Sequence, residues 1–214
     1  TTYKLLIPYL LPKTNKPDKV FTPETSKTKH TEKLIISSPG EQVIDIVNKH
    51  IKKPTSQLLI IEPDVSNVRK TSDLIHKVSD APSDQISTFH SRLKASQKKS
   101  AWLSIITSKA KIILGTDHAI GLSFYNLTNL VTNHAESAYY KQSLSQPYTH
   151  TLILTRAFAK IHSIPHTLIT PAPSPELFQT IQAKKDLAKK PKASVQLINL
   201  KQERLSGNFS PLSD

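Results

Sequence analysis

The stretch Leu58-Leu59-Ile60-Ile61 is a run of four branched apolar residues with no polar residue between them. A strand with one wet face alternates apolar and polar side chains. An unbroken apolar run instead points to a strand covered on both faces, as in a parallel sheet. Working outward, Leu34-Ile35-Ile36, Ile86-Ser87-Thr88-Phe89, Lys111-Ile112-Ile113-Leu114, Leu130-Val131-Thr132 and His166–Thr170 read as further strands. Helical spacing fills the gaps. Val43, Ile44, Ile46, Val47 and Ile51 share a helical period. Val68 to Val78 sets Leu74, Ile75 and Val78 on one face. Ser96 to Thr107 carries Trp102, Leu103, Ile105 and Ile106, with Trp102 expected in the core. Thr151 to His162 forms another helix. Strand–helix alternation predicts an α/β three-layer sandwich around a mostly parallel sheet. Its ligands belong at the carboxyl ends of the strands.

The lobe is expected over residues 34–182. Residues 1–33, rich in Pro, Lys and Thr from Pro12 to Lys33, read as a linker or exposed arm. Residues 183–214 read as a basic connector, with a lysine-rich stretch from Lys184 to Lys192 and a last strand at Val195–Leu200. At 214 residues and 37% hydrophobic content the chain can build one core, since a domain of this size buries roughly 70% of its unfolded surface. No run approaches the ~20 apolar residues of a membrane span, and the start, interrupted at Pro8, does not resemble a signal peptide. The absence of cysteine excludes disulfides and thiolate-bound zinc and suits a cytoplasmic setting. A net charge of +13 favours polyanionic partners, nucleic acid first.

The strand-end loops carry a resemblance. His90-Ser91-Arg92-Leu93 looks like H-S-G-L; Ile112 to Ala119 is similar to V-V-V-G-T-R-S-A; Phe124-Tyr125-Asn126-Leu127 to F-K-N-L; Tyr140-Lys141-Gln142 to Y-K-Q. Phe21-Thr22-Pro23-Glu24, Ile61 to Val65, Ile164-Pro165 and Val195 to Leu200 follow in the matching order. Together they resemble the first motor lobe of the primosomal replication-restart helicases, the primosomal protein N-prime family. The resemblance implies a RecA-like P-loop NTPase lobe, and a family that uses ATP, magnesium and zinc.

The positions that would bind nucleotide have changed. Where the resemblance places a phosphate loop, the chain reads Ile35-Ile36-Ser37-Ser38-Pro39-Gly40-Glu41-Gln42. Only Gly40 fits. Glu41 stands for the lysine, and reversing a unit charge at 4 Å changes the sign of a term of ~4 kcal/mol at an effective dielectric of 20. Pro39 removes an N–H donor, and Gln42 stands for the hydroxyl on magnesium. The D-E-E-H box becomes Asn133-His134-Ala135-Glu136, the arginine of G-T-R-S becomes Asp117, and S-A-T becomes Thr170-Pro171-Ala172. No bound cofactor and no residual ATPase are expected.

Other constellations carry less. His118, His134, His150, His162 and His166 do not form an H-E-x-x-H pair; His134 and Glu136 alternate along a segment expected to be extended. No metal site is expected, and no G-x-S-x-G elbow exists for hydrolase chemistry. For DNA, single-stranded or forked, the resemblance nominates Arg69, Lys70, Arg92, Lys94, Lys98, Lys99, Thr116 and Lys141. Phe89, Phe124, Tyr125, Tyr139 and Tyr140 are available for stacking. Three readings stand: a non-catalytic module binding DNA or other primosome or replication proteins; an interaction subunit that complements a separate helicase lobe; and a fragment of an active ATP-dependent helicase.

Overall fold

The computed structural model describes residues 30–53, 56–79, 81–141 and 150–182. The apolar runs are strands: β1 (Glu32–Ile36), β2 (Gln57–Ile61), β3 (Ile86–Phe89), β4 (Ile112–Gly115), β5 (Leu127–Thr132) and β6 (His166–Thr170). They form one sheet in the order β1-β6-β5-β2-β4-β3, with every pairing parallel. The connecting helices are α1 (Pro39–Ile51), α2 (Val65–Val78), α3 (Ala95–Ile106) and α4 (Thr151–Ile161), with α5 (Pro175–Gln182) after β6.

β2 lies inside the sheet and is buried at all five positions. Leu58 and Ile60 pack with Ile112, Leu114 and Val131 under Val43, Ile44 and Val47 of α1 and Val68 and Ile75 of α2. Leu59 and Ile61 pack to the other side with Ile113 and Leu130, under Ile105 of α3 and Ala159 of α4. Each such aliphatic side chain contributes about 2 kcal/mol by burial. The predicted three-layer α/β sandwich with its parallel sheet is therefore the observed one.

Two sequence expectations about the core are corrected. Val78, placed with Leu74 and Ile75, is 57% exposed, because it ends α2 beyond the last buried turn. Trp102 is only half-buried, and Ile105 is the one buried residue of α3. That helix packs mainly on β3, the edge strand, so the sheet beneath it is narrow. Glu32 and Lys33, assigned by sequence to the arm, belong to β1. The stretches Lys184–Lys192 and Val195–Leu200 lie outside the described residues.

Two packing details have measurable consequences. Gly115 ends β4 where its backbone crowds β3: a Cβ there would press on Ala119 and come within 2.6 Å of the Phe89 carbonyl oxygen. A backbone carbonyl cannot swing aside, so Gly115→Ala overpacks the junction. It should cost about 3 kcal/mol, read as a lower urea midpoint at unchanged slope.

His166 on β6 is fully buried beside Glu32, its register partner on β1. Its Nε2 lies 2.8 Å from Thr132 Oγ1, and Glu32 binds Arg156 of α4 through two bonds of 2.6 and 2.9 Å. Burial drives the imidazole down to about 3, against the opposing pull of Glu32. The unfolded chain, at an ordinary value near 6.5, binds a proton that the folded chain refuses. Stability held above pH 6.5 should therefore fall as pH drops towards 3, by up to about 1.4 kcal/mol per pH unit. Thermal melts from pH 7 to pH 4 should show this slope, and His166→Gln should flatten it.

Candidate nucleic-acid interface and nucleotide corner

Because β5, β2, β4 and β3 are neighbours in the sheet, the residues just past their carboxyl ends fall into one row: Asn133, Glu62, Thr116 and His90. The backbone holds the row in register, with Asn133 N–H donating to Ile61 O (2.9 Å), Glu62 N–H to Gly115 O (2.8 Å) and Thr116 N–H to Phe89 O (3.4 Å). All four side chains are buried.

β1 leads into α1 through Ser37 and Ser38 alone, and Ser37 N–H still donates to Thr170 O. Pro39 starts the helix, so its first position has no N–H to offer an anion. Glu41 is exposed in the first turn of α1, where a carboxylate favours the helix dipole and repels an incoming anion. Gln42 is half-buried. A Cβ on Gly40 would sit 3.3 Å from Leu74 of α2, so this glycine serves helix packing. The stretch Ile35 to Gln42, where the resemblance places a phosphate loop, is thus mostly strand end and helix.

At the end of β5, Asn133 Nδ2 donates to Glu62 Oε1 at 2.9 Å, and Thr71 Oγ1 of α2 donates to the same oxygen at 2.7 Å. Burial pushes the Glu62 carboxyl up, opposed by these two bonds. His134 has φ of 51°, in the left-handed region, and its carbonyl accepts from Ser137 N–H. The segment expected to be extended is therefore a turn, which brings His134 Nδ1 to 3.4 Å from Glu136 Oε1. Tyr140 is buried, its hydroxyl 2.5 Å from the Asn133 carbonyl and 2.9 Å from that of Ile61, so it is not a stacking surface. Among the described residues no group of three or more His, Asp or Glu is placed to hold a metal ion.

The basic residues gather at the β3 end of the row. His90 lies within electrostatic reach of Arg69, Arg92 and Lys98; burial lowers its pKa first, and these three cations lower it further. Arg69, Lys70, Arg92, Lys94 and Lys99 are exposed. Lys94 N–H donates to Gln97 Oε1, which fixes the start of α3 and with it Lys98 and Lys99. Asp117 stands nearby, half-exposed, with its carboxylate 3.0 Å from His118 Nδ1; that bond lowers the acid and raises the imidazole. Two nominated residues do not join this basic surface. Thr116 is buried and presents no hydroxyl to the surface. Lys141 lines a separate hollow of about 340 Å³ with Glu136, Ser137, His150 and Glu176.

Sequence reading missed Gln57, which is fully buried at the start of β2. Its amide donates to the Ile105 and Ala110 carbonyls and accepts from Tyr125 and Asn126 N–H, so all its hydrogen-bonding capacity is used. Its place directly before the apolar run was the available signal.

No protein-family model matches the chain. In sequence it is 23% identical to the replication restart protein PriA of Thermotoga maritima over 81% of its own length and 24% of that protein. It is likewise 23% identical to PriA of Bacillus subtilis, over 95% of its length and 26% of that protein. The chain thus spans about a quarter of the length of these relatives. Its fold is similar to the Hef helicase domain of Pyrococcus furiosus, with a TM-score of 0.51 and 16% identity over 75% of this chain and 34% of that one. It is also similar to the helicase MrfA bound to DNA, with a TM-score of 0.51 and 7% identity over 73% of this chain and 21% of that one. In fold the chain is similar to these helicase domains, and in sequence it is similar to the replication restart protein PriA.

Proposed function

We propose that this lobe binds DNA, single-stranded or forked, without hydrolysing ATP. The observation that carries the first half is the set of basic side chains around His90. The β1–α1 turn carries the second. A phosphate loop works by wrapping backbone N–H groups around an anion and adding a lysine. Here two residues separate strand from helix, the first helical position is proline, and a glutamate follows. At the β5 end, the group in the place of a metal-binding carboxylate is an amide already engaged with Glu62. Arg69, Lys70, Arg92, Lys94, Lys98 and Lys99 then contact sugar-phosphate backbone without reading bases. The proposed setting is the cytoplasm, alongside other replication proteins; no helix among the described residues is long and apolar enough to cross a membrane.

Calorimetry with magnesium-ATP tests the first point. Neither the natural chain nor Glu41→Lys is expected to give binding heat, because a lysine alone does not rebuild the N–H cradle. Micromolar affinity in the natural chain would revive the active-fragment reading. Fluorescence anisotropy with single-stranded and forked DNA tests the second. Binding tighter than ~10 µM at moderate salt is expected, weakening as salt rises. Arg69→Ala and Arg92→Ala should each weaken it across all sequences and reduce the salt slope by about one. Salt-independent affinity, or none, removes the DNA reading.

One observation favours the interaction-subunit reading. α4 turns Ile153, Leu154 and Ile161 to solvent, at 64%, 37% and 77% exposure, along one side of the helix with Ala157. A pull-down that recovers a separate helicase lobe while retaining negligible DNA would support that reading over the first.

A further inference from the structure

Among the described residues, Glu62 is the one fully buried carboxylate at the carboxyl ends of the strands, and it touches three parts of the fold. It follows β2, accepts from Thr71 of α2 at 2.7 Å, and accepts from the Asn133 amide after β5 at 2.9 Å. Asn133 is anchored in turn: its N–H donates to Ile61 O, and its carbonyl lies 2.5 Å from the Tyr140 hydroxyl. Thr71 directly follows Arg69 and Lys70, both exposed on α2. The bond that Glu62 makes to Thr71 thus ties to the strand end the part of the helix that carries these two cations.

The chemistry of the pair is restrictive. An ionised carboxylate only accepts hydrogen bonds, and an amide can donate. A carboxylate at position 133 would face Glu62 across the same short distance, with no donor between them and water excluded. Two such groups cannot both ionise. An amide at 133 supplies the donor that this short contact needs while leaving the carboxyl at 62 free to ionise.

We infer that Glu62 and Asn133 act as one carboxyl–amide clamp, in which Glu62 is the positioning residue that holds α2, and with it Arg69 and Lys70, against the carboxyl end of the sheet. The orientation of the cations as a DNA contact rests on the function proposed above; the clamp itself does not. The clamp also accounts for Tyr140 and Asn133 being buried together, since the hydroxyl fixes the backbone from which the amide reaches Glu62.

A reciprocal exchange tests it. Four proteins are compared by chemical denaturation and by DNA anisotropy: the natural chain, Asn133→Asp, Glu62→Gln, and the double variant carrying both. Asn133→Asp is expected to lower the folding equilibrium constant about 30-fold, which is about 2 kcal/mol, and to weaken DNA binding several-fold. Glu62→Gln keeps an acceptor for Thr71 and Asn133 and should stay within about threefold of the natural chain. The double variant restores a carboxyl–amide pair with the donor and acceptor exchanged, and should recover most of both losses. If Asn133→Asp does not fold at all, recovery of folding in the double variant still supports the clamp. Losses that simply add in the double variant, or an Asn133→Asp protein as stable as the natural chain, would overturn it. Should none of the four bind DNA, the function proposed above fails, and the denaturation cycle alone decides the clamp. Should the cycle show coupling while DNA affinity ignores it, the positioning role is overturned and only a structural pair remains.

Discussion

The interior of β2 admits no polar side chain between Leu58 and Ile61, and this confines the chemistry of the sheet to its ends. A strand covered on both faces cannot hide a charged or amide group midway without stranding it, and an unpaired buried polar group costs about 1–3 kcal/mol. The two ends answer this in different ways. At the amino end, Gln57 spends all its capacity on four backbone groups and ties the strand to the end of α3 and to the loops before β4 and β5. At the carboxyl end, Glu62 takes donors from α2 and from the end of β5. One polar anchor is saturated and structural; the other keeps Oε2 without a hydrogen-bond partner among the described residues. The asymmetry follows the usual division of parallel sheets, in which ligands meet the carboxyl edge.

Much of this was legible in the sequence where the physics is local. Uninterrupted runs such as Leu58–Ile61 and Ile112–Leu114 can satisfy few environments other than a doubly covered strand, so the layered architecture followed from them. The span of α4 followed from its own periodicity. What could not be read was any fact decided by a distant neighbour. Trp102 has the composition of a core residue, yet the helix that bears it lies over the sheet margin. Thr116 was nominated for DNA contact and is buried. The turn at His134 depends on a left-handed residue that is not glycine, which no local rule anticipates. Gln57 and Glu62 are polar letters beside apolar ones; only the register of the sheet says what they touch.

The candidate site divides along the same line. Individual cations near the strand ends could be nominated from sequence, and the fold brings Arg69, Arg92 and Lys98 within electrostatic reach of a single imidazole. Lys141 was nominated by the same logic, and its place beside Glu136 and Glu176 sets it in a mixed-charge hollow. Proximity in a motif order is a statement about the chain; proximity in charge is a statement about the sheet order, which puts β3 at one margin and β1 at the other.

The short passage from β1 to α1 limits what a change of side chain alone can do there. Ile35 and Ile36 are zipped to Ile169 and Thr170 of β6, and the helix begins three residues after Ile36. To form a wide anion-wrapping loop in this place, the main chain would first have to peel that zipper open, with no reward until every donor had been repositioned. Side-chain replacements one at a time meet only the cost. The junction is thus held by main-chain pairing, which replacing Glu41 alone leaves in place.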